Sequence, residues 1–255
     1  MYAEERQQAI ASLVGQRGRV SVADLSDLYS VTTETVRRDL AVLDRMGVIR
    51  RVHGGAVPAT ALTALEPGIA EREVAHADEK DRIAKAALDF LPGAGGSILF
   101  DAGTTTGRIA ALLPADRDLT VVTNSIPIAA RISTLGGVSL QVLGGRVRGL
   151  TQAAVGDEAL RALATLRVDV AFIGTNAIST GHGVSTPDSD EAAVKRAMVA
   201  AAHHVVVVAD SSKIGRELLI SFGSLDRIDV LVTDSDIADA DRDAIRELGV
   251  EVVVA

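Results

Sequence analysis

The sequence predicts an α/β protein with two domains: a small helical domain with a β-hairpin, and a larger domain with a mainly parallel sheet. In residues 1–57 apolar residues recur at helical spacing in three short segments, and a basic strand leads into a Gly-Gly turn. From residue 94 onward, short β-branched segments alternate with helical ones, which is typical of a parallel sheet covered on both faces. Residues 58–77 contain two prolines and a glycine and are predicted to be a linker, which leaves 78–255 for the second domain.

The composition indicates a cytoplasmic protein with a sizeable core. Hydrophobic residues make up 47% of the 255 residues, which argues against long disordered stretches. The longest apolar runs are the length of a strand, so no membrane span is expected, and the charged first residues lack the apolar region of a secretory signal. The absence of cysteine excludes disulfides, thiolate catalysis and cysteine-bound zinc.

The charge is divided unevenly between the two predicted domains. The whole chain carries a net charge of -8, yet residues 1–57 hold eight arginines against seven acidic residues. The negative charge therefore belongs to the rest of the chain. This asymmetry indicates that the two domains have different partners.

The first domain is predicted to begin with two helices. Residues 3–15 form the first. Ser21, with an acidic residue three positions later, is expected to cap a second helix over residues 22–29. Leu25 and Leu28 are expected to face inward from this helix.

The third helix has the pattern of a DNA recognition helix. It begins at Thr32 or Thr33, and its buried stripe recurs at i, i+4 and i+7. Its opposite face presents hydroxyl and basic side chains near the N-terminus, where such residues enter the major groove. The stripe is Val36, Leu40 and Leu43, and the opposite face is Thr33, Glu34, Arg37 and Arg38.

A basic strand and a Gly-Gly turn over residues 48–56 predict a β-wing, whose arginines would contact phosphate or the minor groove. Two alternatives remain open from spacing alone. The three helices and hairpin could form a structural domain that does not bind DNA. Arg37 and Arg38 could lie on a solvated helix face, paired with Glu34 and with Asp39 or Asp44.

Residues Thr32–Leu40, with the core Thr-Val-Arg-Arg-Asp-Leu, and the wing sequence His-Gly-Gly-Ala at 53–56 closely resemble the DeoR family of repressors. The resemblance implies a winged helix-turn-helix that binds double-stranded operator DNA. Asp39 is interpreted as an internal partner that orients an arginine. The residues implied to contact DNA are Thr33, Thr35, Arg37 and Arg38 in the groove, and Arg50, Arg51 and His53 in the wing.

In the second domain we predict seven strands and six helices. The strands are expected at 97–100, 119–123, 138–143, 168–173, 204–209, 230–233 and 250–253, and the helices at 78–91, 104–113, 126–135, 157–166, 189–202 and 238–248.

Polar residues follow five successive strands, which predicts one polar pocket at the carboxyl edge of the sheet. Residues 101–107 follow the first strand and open a helix, so hydroxyls and backbone N–H groups there form a candidate anion site. This loop is neither a Walker loop nor a dinucleotide fingerprint. Taken singly, Asp101, Asn124 and Ser125 could be helix caps, Gly145 a turn residue and Lys213 a surface lysine.

The same loops resemble the DeoR sensor domain, which belongs to the ribose-5-phosphate isomerase and CoA-transferase class of folds. The resemblance implies a phosphorylated sugar or related effector, with residues 103–106 on the phosphate. It also suggests a Glu191–Lys195 pair, whose alternative interpretation is an ion pair on a helix surface. Ala177 stands where relatives often carry glycine, which could narrow the pocket. The predicted effector-binding residues are Asp101, Gly103, Thr104, Thr105, Thr106, Asn124, Ser125, Gly145, Glu191 and Lys213.

These features predict a transcriptional regulator, a repressor of carbohydrate metabolism genes that a phosphorylated sugar releases from its operator. Activation in place of repression remains open, as does the choice between homodimer and homotetramer. No catalytic residue, cofactor, metal or membrane partner is expected.

Two alternative functions remain open. The first is a sugar-phosphate isomerase with an accessory N-terminal domain, whose base would be Asp101, Glu191 or Asp210. The second is a metal-dependent sensor, although the five histidines lack ligand spacing.

Overall fold

The computed structural model describes residues 3–17, 20–52, 54–58, 66–114 and 117–255, apart from the side chains of Arg50 and Val52. The chain divides into two compact units between Glu66 and Pro67. The predicted wing residue His53 and residues 59–65 of the predicted linker lie outside the described residues, so the linker bounds stay a prediction. Within the described ranges no helix is long and apolar enough to cross a membrane.

The first unit is a winged helix-turn-helix, as predicted. Its elements are α1 (Ala3–Arg17), β1 (Val20–Ser21), α2 (Val22–Tyr29), α3 (Thr33–Arg45), β2 (Ile49–Val52) and β3 (Gly55–Pro58). The three strands form an antiparallel sheet in the order β1-β3-β2. Side-chain caps fix where α2 and α3 begin, because Ser21 and Thr32 each accept a backbone N–H from three residues on.

The core of this unit contains the predicted stripe of α3. Val36, Leu40 and Leu43 are buried against residues of α1, α2 and β2. The expectation for Leu28 was wrong, since it is 55% exposed while Leu25 is fully buried. Only one side of the short helix α2 meets the core, and Leu28 lies at the edge of a surface groove.

The second unit contains the remaining α-helices and β-strands. They are α4 (Ile69–Val74), α5 (Ala77–Ala87), β4 (Ser97–Phe100), α6 (Thr104–Ala111), β5 (Leu119–Thr123), α7 (Ile126–Ile132), β6 (Val138–Val142), β7 (Arg146–Arg148), β8 (Ala153–Val155), α8 (Asp157–Ala164), β9 (Val168–Gly174), β10 (Ala177–Ser179), β11 (Gly183–Thr186), α9 (Ser189–Ala201), β12 (Ala202–Val208), β13 (Ile220–Gly223), β14 (Val230–Thr233), α10 (Asp239–Glu247) and β15 (Glu251–Val254).

A seven-stranded sheet in the order β15-β14-β12-β9-β4-β5-β6 forms the centre of this unit, and every pairing in it is parallel. Alternate residues along each strand enter two separate cores. In β4, for example, Ile98 and Phe100 pack with α5 and α6, whereas Leu99 packs on the opposite face. The predicted α/β class with helices on both faces is therefore confirmed.

Two small antiparallel sheets were not predicted. The loop expected after β9 contains β10 and β11, which pair with each other, and β11 also pairs with β13. The segment after β6 folds into the β7–β8 hairpin. Gly183 allows β11 to approach its neighbour, because a Cβ there would lie 2.1 Å from the carbonyl oxygen of Gly223. Strands this short carry too few residues for a clear alternating pattern.

Candidate DNA-binding surface and ligand-binding cleft

The exposed face of α3 carries the predicted groove-facing arginines. The Arg37 and Arg38 side chains are 59% and 81% exposed, and their contacts with Glu34 are long, at 3.8 and 3.5 Å. Such exposed pairs contribute little and exchange readily for another anion. Both arginines are thus able to reach a phosphate or base edge. The alternative pairing with Glu34 is present, whereas Asp39 pairs with Arg6.

The other residues predicted to contact DNA differ in how exposed they are. Thr33 is exposed, but Thr35 is half-buried and its hydroxyl lies 2.9 Å from that of the cap residue Thr32. Arg51 is exposed on β2, and its backbone N–H donates to Asp44 at 3.0 Å. The side chains of Arg50 and His53 lie outside the described atoms.

Asp39 fills the internal role that the sequence suggested. It is buried, and Arg6 of α1 donates to it from Nε at 2.6 Å and from Nη2 at 3.2 Å. Gln7 adds a third hydrogen bond at 2.9 Å. These contacts fasten the recognition helix to α1, which keeps Arg37 and Arg38 on the outer face.

In the second unit a cleft of about 100 Å³ opens at the carboxyl ends of the central strands. One wall is the start of α6, and the other is formed by α4 and the start of α5. The cleft is lined by Pro67, Glu71, Arg72, Ala75, His76, Lys80, Gly103, Thr104, Thr105, Thr106, Gly174, Thr175, Val208, Ala209, Asp210 and Lys213.

The start of α6 has the properties of an anion site. Its N-cap residue, Gly103, supplies no side-chain hydrogen bond, so the first-turn N–H groups have no side-chain cap. Thr104 and Thr105 are 5% and 8% exposed and line the cleft. Among the described residues neither hydroxyl has a hydrogen-bond partner, whereas Thr106 donates to the Gly103 carbonyl at 3.0 Å. Hydroxyls that line a cleft beside free helix amides suit a bound oxyanion.

Two lysines bring positive charge into the same cleft. Burial lowers the pKa of Lys80 to about 8, and the nearby carboxylate of Asp210 offsets part of this effect. Burial also lowers the pKa of Lys213, again against the influence of Asp210. A cation that has lost water without a close counterion gains from an anionic ligand.

Five predicted effector residues lie outside the cleft lining and make internal contacts. Asp101 accepts hydrogen bonds from Lys195 and from the backbone of Gly174. Asn124 bridges the backbones of Ala102 and Ala154 at 3.0 and 3.2 Å. Asn124 therefore joins the ends of β4 and β5, and Asp101 joins the end of β4 to β9 and α9.

The other three also have structural roles. Ser125 accepts the Ile128 N–H and caps α7, which was its alternative interpretation. Gly145 has a φ of +131°, and a Cβ there would lie 2.6 Å from the Val155 carbonyl oxygen, so it permits the turn into the β7–β8 hairpin. Glu191 accepts from Thr151 and from Arg148, the latter at 3.1 Å.

The alternative interpretation of Glu191 and Lys195 as an ion pair on a helix surface is wrong, and the two side chains do not bond each other. Both are buried on α9, and each bonds a different partner: Glu191 contacts the β7–β8 hairpin region, and Lys195 contacts Asp101 and the Gly174 carbonyl. A one-turn spacing brings two side chains near each other, but here the surrounding strands supply closer partners.

The two halves of the chain each match a family model. Residues 6–61 match the DeoR-like helix-turn-helix domain, and residues 75–235 match the DeoR C terminal sensor domain. The chain belongs to the DeoR family of transcriptional regulators. The resemblance found in the sequence is thereby confirmed.

Curated relatives match this DeoR-family chain along almost its full length. The HTH-type transcriptional regulator GlpR of Haloferax volcanii is 38% identical over 99% of this chain and 98% of the relative. The glycerol-3-phosphate regulon repressor of Escherichia coli strain K12 is 30% identical over 91% of this chain and 90% of the relative. Similar solved structures include ribose 5 phosphate isomerase A from Neisseria gonorrhoeae, at 16% identity and a TM-score of 0.40, covering 54% of this chain and 53% of that one.

Sequence reasoning missed the cleft residues contributed by α4 and α5, chiefly Arg72 and Lys80. Lys80 stands between Glu79 and Asp81, which is the pattern of a solvated helix face. The structure buries it because α4 folds back over that side of α5. In the described part of the chain no cluster of three or more acidic or histidine side chains is placed to hold a metal ion.

Proposed function

We propose that this DeoR-family regulator is a repressor of carbohydrate metabolism genes, released from its operator by a phosphorylated sugar or related metabolite. The observation that carries the proposal is the start of α6, where the hydroxyls of Thr104 and Thr105 line the cleft beside free helix amides and have no partner among the described residues. The cations Lys80 and Lys213 line the same cleft. A phosphate group supplies the acceptors and the negative charge that this wall lacks.

The proposed ligand site is narrower than the set predicted from sequence. Residues 103–106 hold the phosphate, and Lys213 contacts the phosphate or sugar at the rim. The other five predicted residues support the cleft and do not contact the ligand, because each already makes internal hydrogen bonds or forms a turn. They are Asp101, Asn124, Ser125, Gly145 and Glu191.

The DNA-binding part of the proposal places α3 in the major groove and β2 against the backbone. Because helix-turn-helix proteins read two half-sites, the working species is a homodimer or homotetramer in the cytoplasm. Ligand binding then shifts the population toward a state with lower affinity for the operator.

Internal pairing of two of the three candidate bases supports a regulator in preference to an isomerase. Asp101 is engaged by Lys195 and Glu191 by Arg148, whereas Asp210 lines the cleft and accepts the hydroxyl of Ser212. A general base must instead reach a substrate proton directly or through one water. We expect no turnover of ribose 5-phosphate, which a coupled assay at high protein concentration would check.

Thermal unfolding against a ligand panel tests the proposed function. The panel pairs each phosphorylated compound with its unphosphorylated form and includes glycerol 3-phosphate, because a relative's name points to it. A ligand at about 100 times its Kd adds roughly 2.7 kcal/mol and raises Tm visibly. Compounds that raise Tm are then added to the protein–operator complex. A phosphorylated compound that stabilises the protein but never releases DNA would refute the proposed control.

A further inference from the structure

Helix α4 is attached to the second unit by polar contacts. None of its residues is buried, and Val74 is 76% exposed. Arg108 of α6 bonds the Glu73 carboxylate at 2.7 Å and its carbonyl at 3.0 Å, and the Ile69 N–H donates to Leu150 at 3.0 Å. A helix without a buried apolar face is among the least stable parts of a fold, so these contacts control whether it stays in place.

Lys80 adds the contact at the C-terminal end of α4. His76, in the left-handed region at φ 53°, turns the chain sharply between α4 and α5. This turn brings the last carbonyls of α4 over the first turn of α5. The ammonium group of Lys80 donates to the carbonyls of Arg72 and Ala75, the latter at 2.6 Å.

The same ammonium group has no carboxylate at ion-pair distance among the described residues, although the charge of Asp210 is near enough to raise the pKa of Lys80. Lys80 is only 4% exposed. Two of its three N–H groups donate to the carbonyls of Arg72 and Ala75. The third N–H group is available to a ligand in the cleft, which Lys80 lines together with Thr104 and Thr105. A buried ammonium with one free donor and no carboxylate partner is a ready site for an anion.

We propose that Lys80 binds the phosphate group of the cleft ligand while holding the C-terminal end of α4, so that anion binding fixes α4 on the sensor domain. This inference rests on the proposed function, because it takes the ligand to be phosphorylated. It adds a binding residue on the wall opposite α6 and a physical link to α4. That helix is the first element of this unit after the segment that connects the two units in sequence.

Calorimetric titration of the full chain with inorganic phosphate, and separately with glycerol 3-phosphate, tests the binding role. Lys80→Met should weaken phosphate binding about 10- to 100-fold, the range expected for one charge-assisted hydrogen bond. Lys85→Met is the matched control, since Lys85 is exposed on the same helix, and it should bind like the wild type.

Hydrogen exchange of the segment 69–75 tests the link to α4. Phosphate should slow exchange there in the wild type and in Lys85→Met but not in Lys80→Met. If Lys80→Met fails to fold, Lys80→Gln replaces it, because the amide keeps two N–H donors for the carbonyls of Arg72 and Ala75 on a side chain only one atom shorter and removes the charge. Lys80→Gln should retain basal protection of α4 and lose phosphate affinity.

The outcomes separate the two proposals. Unchanged phosphate affinity in folded Lys80→Met or Lys80→Gln overturns the assignment of Lys80 and leaves the proposed function intact. Normal binding without any added protection of α4 in the wild type overturns the link to α4. Failure of the wild type to bind either compound overturns this assignment together with the phosphate site on α6.

Discussion

Arg6 and Asp39 form a buried ion pair between α1 and α3, with Nε and Oδ2 2.6 Å apart. Asp39 follows directly after the two exposed arginines of the recognition helix. The carboxylate therefore does not oppose DNA phosphates at the surface. It fixes the rotation of α3 about its own axis, and so determines which side chains of that helix face outward.

Removing either partner should destabilise the first unit strongly. We expect Asp39→Ala to lower the free energy of unfolding by about 3–5 kcal/mol, because a buried guanidinium is left unpaired. The double variant Arg6→Met with Asp39→Ala should lose less stability than the sum of the losses measured in the two single variants. Circular dichroism during urea unfolding is the suitable measurement, since the chain has no tryptophan. Strict additivity would mean that the two side chains do not interact energetically.

Arg37 should contribute directly to DNA affinity. Arg37→Ala is expected to weaken binding to a selected operator duplex by about 1–3 kcal/mol if it contacts a base, with little change in stability. Arg17→Ala is the control, because Arg17 is also exposed but lies on α1. Titrations at several salt concentrations distinguish a base contact, which changes sequence preference, from a phosphate contact, which lowers the salt slope. Equal losses in the two variants would remove Arg37 from the recognition set.

Local features of the fold were predictable because they depend on neighbouring residues. β4, β5 and β14 have the predicted bounds, since each is a short apolar run flanked by polar or glycine residues. The start of α3 follows from the threonine cap. The candidate anion site at 103–106 was predictable for the same reason, because it lies between a strand and a helix that are neighbours in the sequence.

Partnerships between distant residues were not predictable. Lys195 and Asp101 are 94 positions apart, and Arg6 and Asp39 are 33 apart. The residues next to Lys195 in the sequence do not indicate that it is buried against the carboxyl end of β4. Those next to Lys80 do not indicate that α4 covers it. The sequence shows which strand ends are polar, but packing decides which of those side chains face the cleft and which bond one another.

The Thr105 hydroxyl should serve ligand binding and not the fold. Thr105→Val keeps the shape of the side chain and removes a hydroxyl that has no partner among the described residues. We therefore expect Tm and operator affinity to stay close to the wild type while the ligand-induced rise in Tm falls. Thr120→Val, an exposed position on β5, is the control and should leave the ligand response unchanged. Loss of operator binding in Thr105→Val would show that the loop supports the fold.

Asp234 should make the stability of the second unit depend on acid pH. It is fully buried at the end of β14, and its carboxylate accepts the N–H groups of Ser211 and Asp236 at 2.7 and 3.0 Å. Burial by itself raises the pKa of Asp234, but the hydrogen bonds from Ser211 and Asp236 outweigh it and lower the pKa below its usual 3.8. The ionised form is thus bound more favourably in the folded state.

The sign of the effect follows from linkage. A lowered pKa in the folded state contributes stability above pH 3.8 that is lost as pH falls through the folded-state pKa. Asp234→Asn should therefore reduce the free energy of unfolding by about 1–3 kcal/mol at neutral pH, and the difference from wild type should shrink as pH falls below 3.8. Urea unfolding across this range, with the exposed Asp226→Asn as control, measures it. If the difference in free energy of unfolding between Asp234→Asn and the wild type stays constant down to the lowest pH, ionisation of Asp234 does not contribute to stability. Asp234 would then act through packing alone.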